Sequence, residues 1–266
     1  MIFSNIYKIT TIVFLIFSGC SSIKVGHKQE ERDSKKIANI EIPAPLTEEE
    51  IVHHTAYTLS YNKVYKQANW VAYILTANET KSLVKRSNKF TTDPQIKNTA
   101  SDIDYKKSGY DRGHLAPAGD MEWTDIAMKE SFYYSNMSPQ VPAFNRGIWE
   151  ELEEQVRVWA VEYDSVYVVT GPVLSNGLKT IGPNKVVVPN YFYKALLIYS
   201  NNNFNAIGVI IPNKGSKENI QSFIVSIDSV EAVTHLDFFS ALPNDIENKI
   251  EATINLSSWN WNQENK

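Results

Sequence analysis

The chain has one cysteine, Cys20, among its 266 residues. One thiol cannot close an internal disulfide, and no cluster of thiolates is on hand to build a zinc site. A dominant charge is also missing. Lys plus Arg number 26 against 30 Asp plus Glu, for a net charge of −4. That excludes a protein that coats nucleic acid by bulk charge and leaves only a local basic patch open. Beyond residue 20 no run is long and apolar enough for a transmembrane helix. There is no repeat, and no second linker interrupts the stretch from about residue 50 to residue 260. What remains is 43% hydrophobic and 12% aromatic, which rules out a largely disordered or fibrous chain and suffices for a buried core.

The first nineteen residues carry one charge, Lys8, ahead of the apolar run Ile12 to Phe17. The run is too short to span a bilayer but fits the hydrophobic region of an export signal. It ends in Ser18-Gly19-Cys20, an arrangement similar to a bacterial lipoprotein signal, in which the cysteine is lipidated and becomes the mature N-terminus. The expectation is therefore a signal over 1–19, a lipid anchor on Cys20 to a bacterial membrane, and export to the periplasmic or cell-surface side. A plain signal with an incidental cysteine is the other reading. Residues 20–45 read as a flexible tether: no aromatics, many charges and a Pro43-Ala44-Pro45 stop. A coil of that length spans roughly 25–30 Å. Residues 46–266 read as one domain.

Within that domain, dense apolar or β-branched runs at 55–61, 70–75, 165–170, 191–199 and 204–211 predict strands, separated by turn signals such as Gly171-Pro172 and Asn201-Asn202-Asn203. The best helix runs from about 146 to 162, with Ile148, Trp149, Leu152, Val156, Trp159 and Ala160 as its apolar stripe. Thr124 is placed to cap a shorter helix over 124–132, and 216–226 and 243–255 are further helical candidates. The mixture predicts an α+β fold with an antiparallel or mixed central sheet flanked by helices.

The chemistry concentrates at 108–121, Ser-Gly-Tyr-Asp-Arg-Gly-His-Leu-Ala-Pro-Ala-Gly-Asp-Met. Read as a loop turning at Gly113, it gathers an acid (Asp111), a fixed cation (Arg112) and a group titrating near neutrality (His114) within four residues. Phosphodiester hydrolysis needs a base for water, positive charge on the phosphate and usually a metal at the leaving oxygen. Alone, the segment reads first as an Asp–Arg bridge beside an exposed histidine. Further along the chain stand Ser135-Asn136-Met137-Ser138-Pro139-Gln140 and Phe144-Asn145-Arg146-Gly147-Ile148-Trp149-Glu150-Glu151-Leu152-Glu153.

Together these segments resemble the DNA/RNA non-specific endonucleases, the family of Serratia-type secreted nuclease and mitochondrial endonuclease G. The resemblance covers roughly residues 55–215, in the family order: Asn69-Trp70-Val71-Ala72-Tyr73, Arg86 with Phe90 and Asp93, Asp111 to His114, Asn136, Asn145 to Glu153, Thr170-Gly171-Pro172-Val173 and Ile211-Pro212-Asn213. It implies a ββα-metal (His-Me finger) fold. It also implies that His114 is the general base and that Asn145 binds a divalent cation directly, usually Mg²⁺, with Mn²⁺ or another divalent ion as the alternative. Glu153 would hold that ion's waters, Arg86 and Arg112 would contact the phosphate, Asn136 would support the substrate site, and Asp111 would orient its neighbours. DNA and RNA are the implied partners, with no protein partner evident.

Treated as one helix, Asn145 and Glu153 lie within about 80° of one face but about 12 Å apart along the axis. Both cannot then grip one small ion, which favours a water-mediated role for Glu153. On the residues alone, Asn145 reads first as a helix N-cap, and Glu153 reads equally as an exposed helix side chain. Residues 79–114 hold eight Lys or Arg and five acids, which suits a nucleic-acid groove or a solvated face. His53, His54 and His235 lack partners at metal-ligand spacing, and Trp259 and Trp261 are expected to pack on the body. The leading expectation is a nuclease whose activity falls as acid protonates His114, with a flat rate between about pH 5 and 8 counting against that base. Its rivals are a catalytically silent nucleic-acid-binding protein on the same fold and an enzyme restricted to DNA or to RNA.

Overall fold

A computed structural model describes residues 37–261 except Glu48. Cys20, the signal and residues 20–36 of the tether lie outside the described residues. In chain order the strands are β1 Glu50–His53, β2 Thr58–Asn62, β3 Gln67–Thr76, β4 Asp111–His114, β5 Met137–Gln140, β6 Ser165–Pro172, β7 Thr180–Ile181, β8 Val186–Val187, β9 Tyr191–Ser200, β10 Asn203–Pro212 and β11 Ile224–Val225. The α-helices are α1 Asp102–Tyr105, α2 Asp125–Ser131, α3 Pro142–Asn145, α4 Ile148–Glu162, α5 Ile227–Thr234 and α6 Asn244–Ala252.

Seven strands form one sheet in the order β1-β2-β3-β6-β9-β10-β11, with every pairing antiparallel. The apolar runs that predicted β3, β6, β9 and β10 are its centre. Side chains alternate along a strand, and β10 shows the consequence. Ile207, Val209 and Ile211 point into the core that Trp149, Leu152, Val156 and Trp159 of α4 also fill. A Cβ on Gly208 would instead meet Val230 Cγ2 at 2.4 Å and Ser226 O at 2.8 Å, so α5 lies directly on that backbone. Helices therefore cover both faces of the sheet, as an α+β architecture requires.

The helix over 146–162 forms as α4, beginning at Ile148, and the cap at Thr124 is made, its hydroxyl accepting from Ala127 N at 3.1 Å. Residues 216–226 do not form the expected helix. Ile220–Phe223 make a short 3₁₀ turn, and Ile224 and Val225 pair with Val209 and Gly208 as an edge strand. Sheet pairing takes up their apolar side chains, and Ser226 then caps α5. The tether is also shorter than expected. Ile40 is fully buried and Ala44 N donates to Asp237 O at 2.8 Å, so the compact body starts at Ala38. Trp259 and Trp261 pack edge-on against Trp159, with centroids at 4.7 and 4.9 Å. No helix among the described residues is long and apolar enough to cross a membrane.

The segment read as a loop at 111–114 is a strand. β4 and β5 pair antiparallel, with Gly113 opposite Ser138 and His114 opposite Met137, and they stand apart from the large sheet. Asn213 ties the two together: it donates to Pro139 O at 3.0 Å and Pro189 O at 2.9 Å and accepts from Val141 N at 2.8 Å. Gly113 serves closeness here, not turning. A Cβ there would sit 2.1 Å from Cδ of the buried Gln140. Gly113→Ala is therefore expected to cost about 1–3 kcal/mol in chemical denaturation through overpacking. Adding Gln140→Ala should recover most of that loss. A double variant no more stable than Gly113→Ala would show that the clash with Gln140 is not the cause.

Candidate active site

Alternation along β4 places Arg112 and His114 on one face. Both line a cavity of about 430 Å³ together with Arg86, Asn145, Glu153 and Arg157. Five of the residues expected in the site thus come from four places: the segment before α1, strand β4, the α3–α4 corner and helix α4. A water takes about 30 Å³, so the cavity has room for a hydrated cation and a phosphate group.

His114 is 8% exposed and packs edge-on against Phe132, centroid to centroid 4.8 Å. Its Nε2 is buried with no hydrogen-bond partner, an uncommon state for a ring nitrogen in a folded interior. Burial first, then the charges of Arg86 and Arg112, push the imidazole down to about 3. The ring is consequently neutral throughout about pH 5–8, the form that accepts a proton. Any fall in activity that comes from protonating His114 is thereby moved to lower pH than an ordinary imidazole would give.

Asn145 is not a cap of the long helix. It ends α3, and α4 starts after Gly147, whose backbone sits at φ −134° and ψ −119°. A Cβ at Gly147 would lie 2.7 Å from Ala143 O, so the chain folds tightly back there. The break invalidates the 12 Å separation reckoned along a single helix axis. Asn145 Nδ2 donates to Asp111 Oδ2 at 3.0 Å. Asp111 also takes both arms of Arg146, at 2.9 and 2.7 Å. Donation through Nδ2 leaves Oδ1 as the uncommitted polar atom of Asn145. Asp111 is thus the orienting residue it was expected to be, and Arg146 is its unforeseen second partner.

Glu153 reaches the cavity from α4. Its carboxyl is raised well above the usual range by burial, with Lys194 opposing that and Asp120 adding to it. Behind it lies a charged cluster that no spacing in the chain foretold. Asp120 accepts from Tyr73 OH at 2.8 Å and from Arg157 at 2.9 Å. Lys194 is 1% exposed, with its ammonium 4.5 Å from the Trp149 ring centroid and 3.4 Å from Thr170 Oγ1. Asp120 stood within the polar 108–121 segment, but alternation within a strand marks Lys194 only as an interruption of an apolar run.

Of the two expected phosphate arginines, Arg112 is held by Asp102 at 2.7 Å and lies 3.9 Å over the Phe90 ring. Arg86 bonds Asn88 at 3.0 Å and lies 5.2 Å from the Phe132 centroid. Asn136 departs from expectation. It is fully buried, its amide gives both hydrogens to Ala116 O and Ser131 O, and its oxygen accepts from Ala116 N. With its amide committed to backbone it locks the segment after His114 and has nothing left to offer substrate. Asp93 is a knot as well, accepting from buried Ser135 at 2.6 Å and pairing with His54 at 2.9 Å.

A family profile described as DNA/RNA non-specific endonuclease matches residues 33–245. Nuclease C1 of Cunninghamella echinulata var. echinulata is 37% identical over 216 residues, 74% of this chain and 86% of that protein. Mitochondrial nuclease EXOG of Danio rerio is 33% identical over 91% of this chain and 77% of its own length. The chain belongs to the DNA/RNA non-specific endonuclease family. A crystal structure described as the EndoG/EndoGI complex, with its mechanism of EndoG inhibition, contains a chain that superposes with a TM-score of 0.73. It shares 33% identity and covers 80% of this chain and 94% of that one. The fold is accordingly the ββα-metal type, with β4, β5 and α4 as its finger. Membership in this endonuclease family makes the chain a metal-dependent phosphodiester hydrolase acting on nucleic acid.

The depressed His114 has a thermodynamic consequence. Its folded pKa of about 3 lies below the ordinary 6.5, so below pH 6.5 the unfolded chain binds a proton that the folded one refuses. Stability is then lost progressively as pH falls from 6.5. Between about pH 7 and pH 5 the wild type should lose about 2 kcal/mol more than His114→Asn, which has no such group. Equal losses in urea melts of the two proteins would contradict the burial effect on this ring.

Proposed function

We propose that His114, Asn145, Glu153, Arg86 and Arg112 carry out the hydrolysis, with DNA and RNA as substrates and Mg²⁺ as the ion. The observation that carries this reading is the buried, unpartnered Nε2 of a neutral His114 in the cavity that Asn145 also lines. His114 takes the proton from a water attacking phosphorus in line, a role for which a neutral ring is required. Arg86 and Arg112 offset the charge that builds on the phosphate oxygens. Arg112 is held by its bond to Asp102 and its seat on Phe90, so little rearrangement accompanies the reaction.

The donor set fits a hard cation: the free Oδ1 of Asn145 with the carboxylate of Glu153 nearby, all oxygen and no sulfur or imidazole. Asn145 would hold the ion directly and Glu153 would hold its waters, since Mg²⁺ keeps several waters and needs few protein ligands. When bound, a divalent cation supplies Lewis-acid stabilisation of the departing 3′ oxygen, which leaves a 5′ phosphate on the other product. Contacts to phosphate carry no base code, in keeping with a site in which Arg86 and Arg112 meet the phosphate.

Residues 21–266 are expected to degrade plasmid DNA and RNA with Mg²⁺ and neither with EDTA. His114→Ala, checked for its fold by circular dichroism, should be slower by about 10²–10⁴. Undiminished cleavage by that variant would remove His114 from the base position, and binding without cleavage under any divalent metal would favour a silent binder.

The export signal and Ser18-Gly19-Cys20 further support a lipid anchor on Cys20 and placement on a bacterial membrane, facing the periplasm or the cell surface. Fatty-acid labelling of the expressed protein should then vanish in Cys20→Ala. Labelling that persists in that variant, or never occurs, would exclude the anchor.

A further inference from the structure

Five carboxylates meet where α5, α6 and the loop between them come together. Oxygens of Asp228, Glu231 and Glu251 lie within 4.8 Å of one another, and so do those of Asp237, Glu247 and Glu251. Glu251 belongs to both sets and is the buried member, 6% exposed. Its Oε1 is buried with no hydrogen-bond partner. Among the described residues, no Lys, Arg or His forms an ion pair with any of the five. Among the described residues, the one donor into the group is Phe238 N, bonded to Glu231 Oε1 at 2.8 Å.

A buried carboxyl lacking donors is costly, and neighbours of like charge make it worse. Burial and then Glu231, Glu247, Asp237 and Asp228 push Glu251 up to about 8. By contrast, the buried Asp120 has both Arg157 and Tyr73 as donors. The residue around which the acids gather is thus the one the protein leaves without compensation.

We propose that these five carboxylates form a second divalent-cation site, of the calcium class, with Glu251 as the shared ligand. Calcium holds oxygen ligands at about 2.3–2.6 Å, so two on opposite sides of one ion lie about 4.6–5.2 Å apart. Either triple falls inside that limit, and acids left over lie beside the ion. Calcium takes six to eight oxygens in flexible geometry, which suits carboxylates from two helices and a loop better than the strict octahedron of magnesium. None of the five lines the cavity around His114. Two of them, Glu247 and Glu251, lie beyond residue 245, where the family match ends. Because α5 and α6 both pack on β10, an ion here clamps the C-terminal helices to the sheet.

Thermal unfolding in EDTA and in calcium chloride tests this, with wild type, Asn145→Ala (which removes the catalytic ion), Glu251→Gln and Glu247→Gln. Calcium at about a hundredfold above its Kd should raise the Tm by about 5 °C in wild type and in Asn145→Ala alike. Glu251→Gln should melt no lower than wild type in EDTA, because it replaces a buried acid that lacks donors with a neutral amide, and it should show no rise with calcium. Glu247→Gln, at a half-buried position, should keep the fold and bind calcium about tenfold more weakly by calorimetry. The proposal is overturned by the absence of any rise in wild type, by a rise that survives in Glu251→Gln, or by unchanged affinity in Glu247→Gln. A rise lost in Asn145→Ala, or produced by magnesium and not by calcium, overturns it as well. Nuclease activity is not the readout, so failure of the catalytic assignment would leave this result readable.

Discussion

The carboxylate of Asp111 is the joint on which the site depends. One oxygen takes the amide of Asn145 and one arm of Arg146, and the other takes the second arm. Asp111 opens β4, whose last residue is His114, while Asn145 and Arg146 form the corner that leads into α4. A single side chain therefore sets the position of the strand that carries His114 against the turn that carries Asn145. Bidentate pairing to a guanidinium is directional, so it fixes angle as well as distance. The break at Gly147 is the complementary condition: without it Asn145 would extend the axis of α4 instead of turning back toward β4.

The interior behind this joint is more charged than a core usually is. Asp120, Arg157, Lys194 and Glu153 are gathered around α4 and the sheet, with Tyr73 and Thr170 supplying hydroxyls. Such groups stabilise little by themselves, because removing them from water costs nearly what their attraction returns. Their effect is on position, since a buried pair tolerates few alternative arrangements. His114 illustrates the opposite strategy. It has no charged partner to stabilise its protonated form, and two arginines to discourage it, so the environment commits it to one protonation state.

Sequence and structure agree where patterning was strong and part where it was not. The central strands and α4 were legible because apolar runs and a helical stripe each imply one packed face. β4 and β5 were not, because Asp-Arg-Gly-His and Met-Ser-Pro-Gln are too short and too polar to alternate, and their strand form is imposed by pairing with each other. Ile40 was hidden by the charged residues before it. At the site, the resemblance to the endonuclease family named His114, Asn145, Glu153 and the two arginines, and the cavity brings them together. It misjudged Asn136, because a fully committed amide looks in sequence like a free one. Arg146, Asp102 and Lys194 left no signal, since each acts through a partner distant in the chain.

The entry of the chain into the body has a mechanical meaning. Between Ala38 and Pro45 the backbone is held by the buried side chain of Ile40 and by the bond from Ala44 to Asp237. Tension applied from the N-terminal side loads these two contacts first. The force passes into the α5–α6 loop and through its helices to β10, and β4 does not lie on that route. A molecule tugged at its leading end can shed strain at its rim while the geometry around Asp111 stays slack.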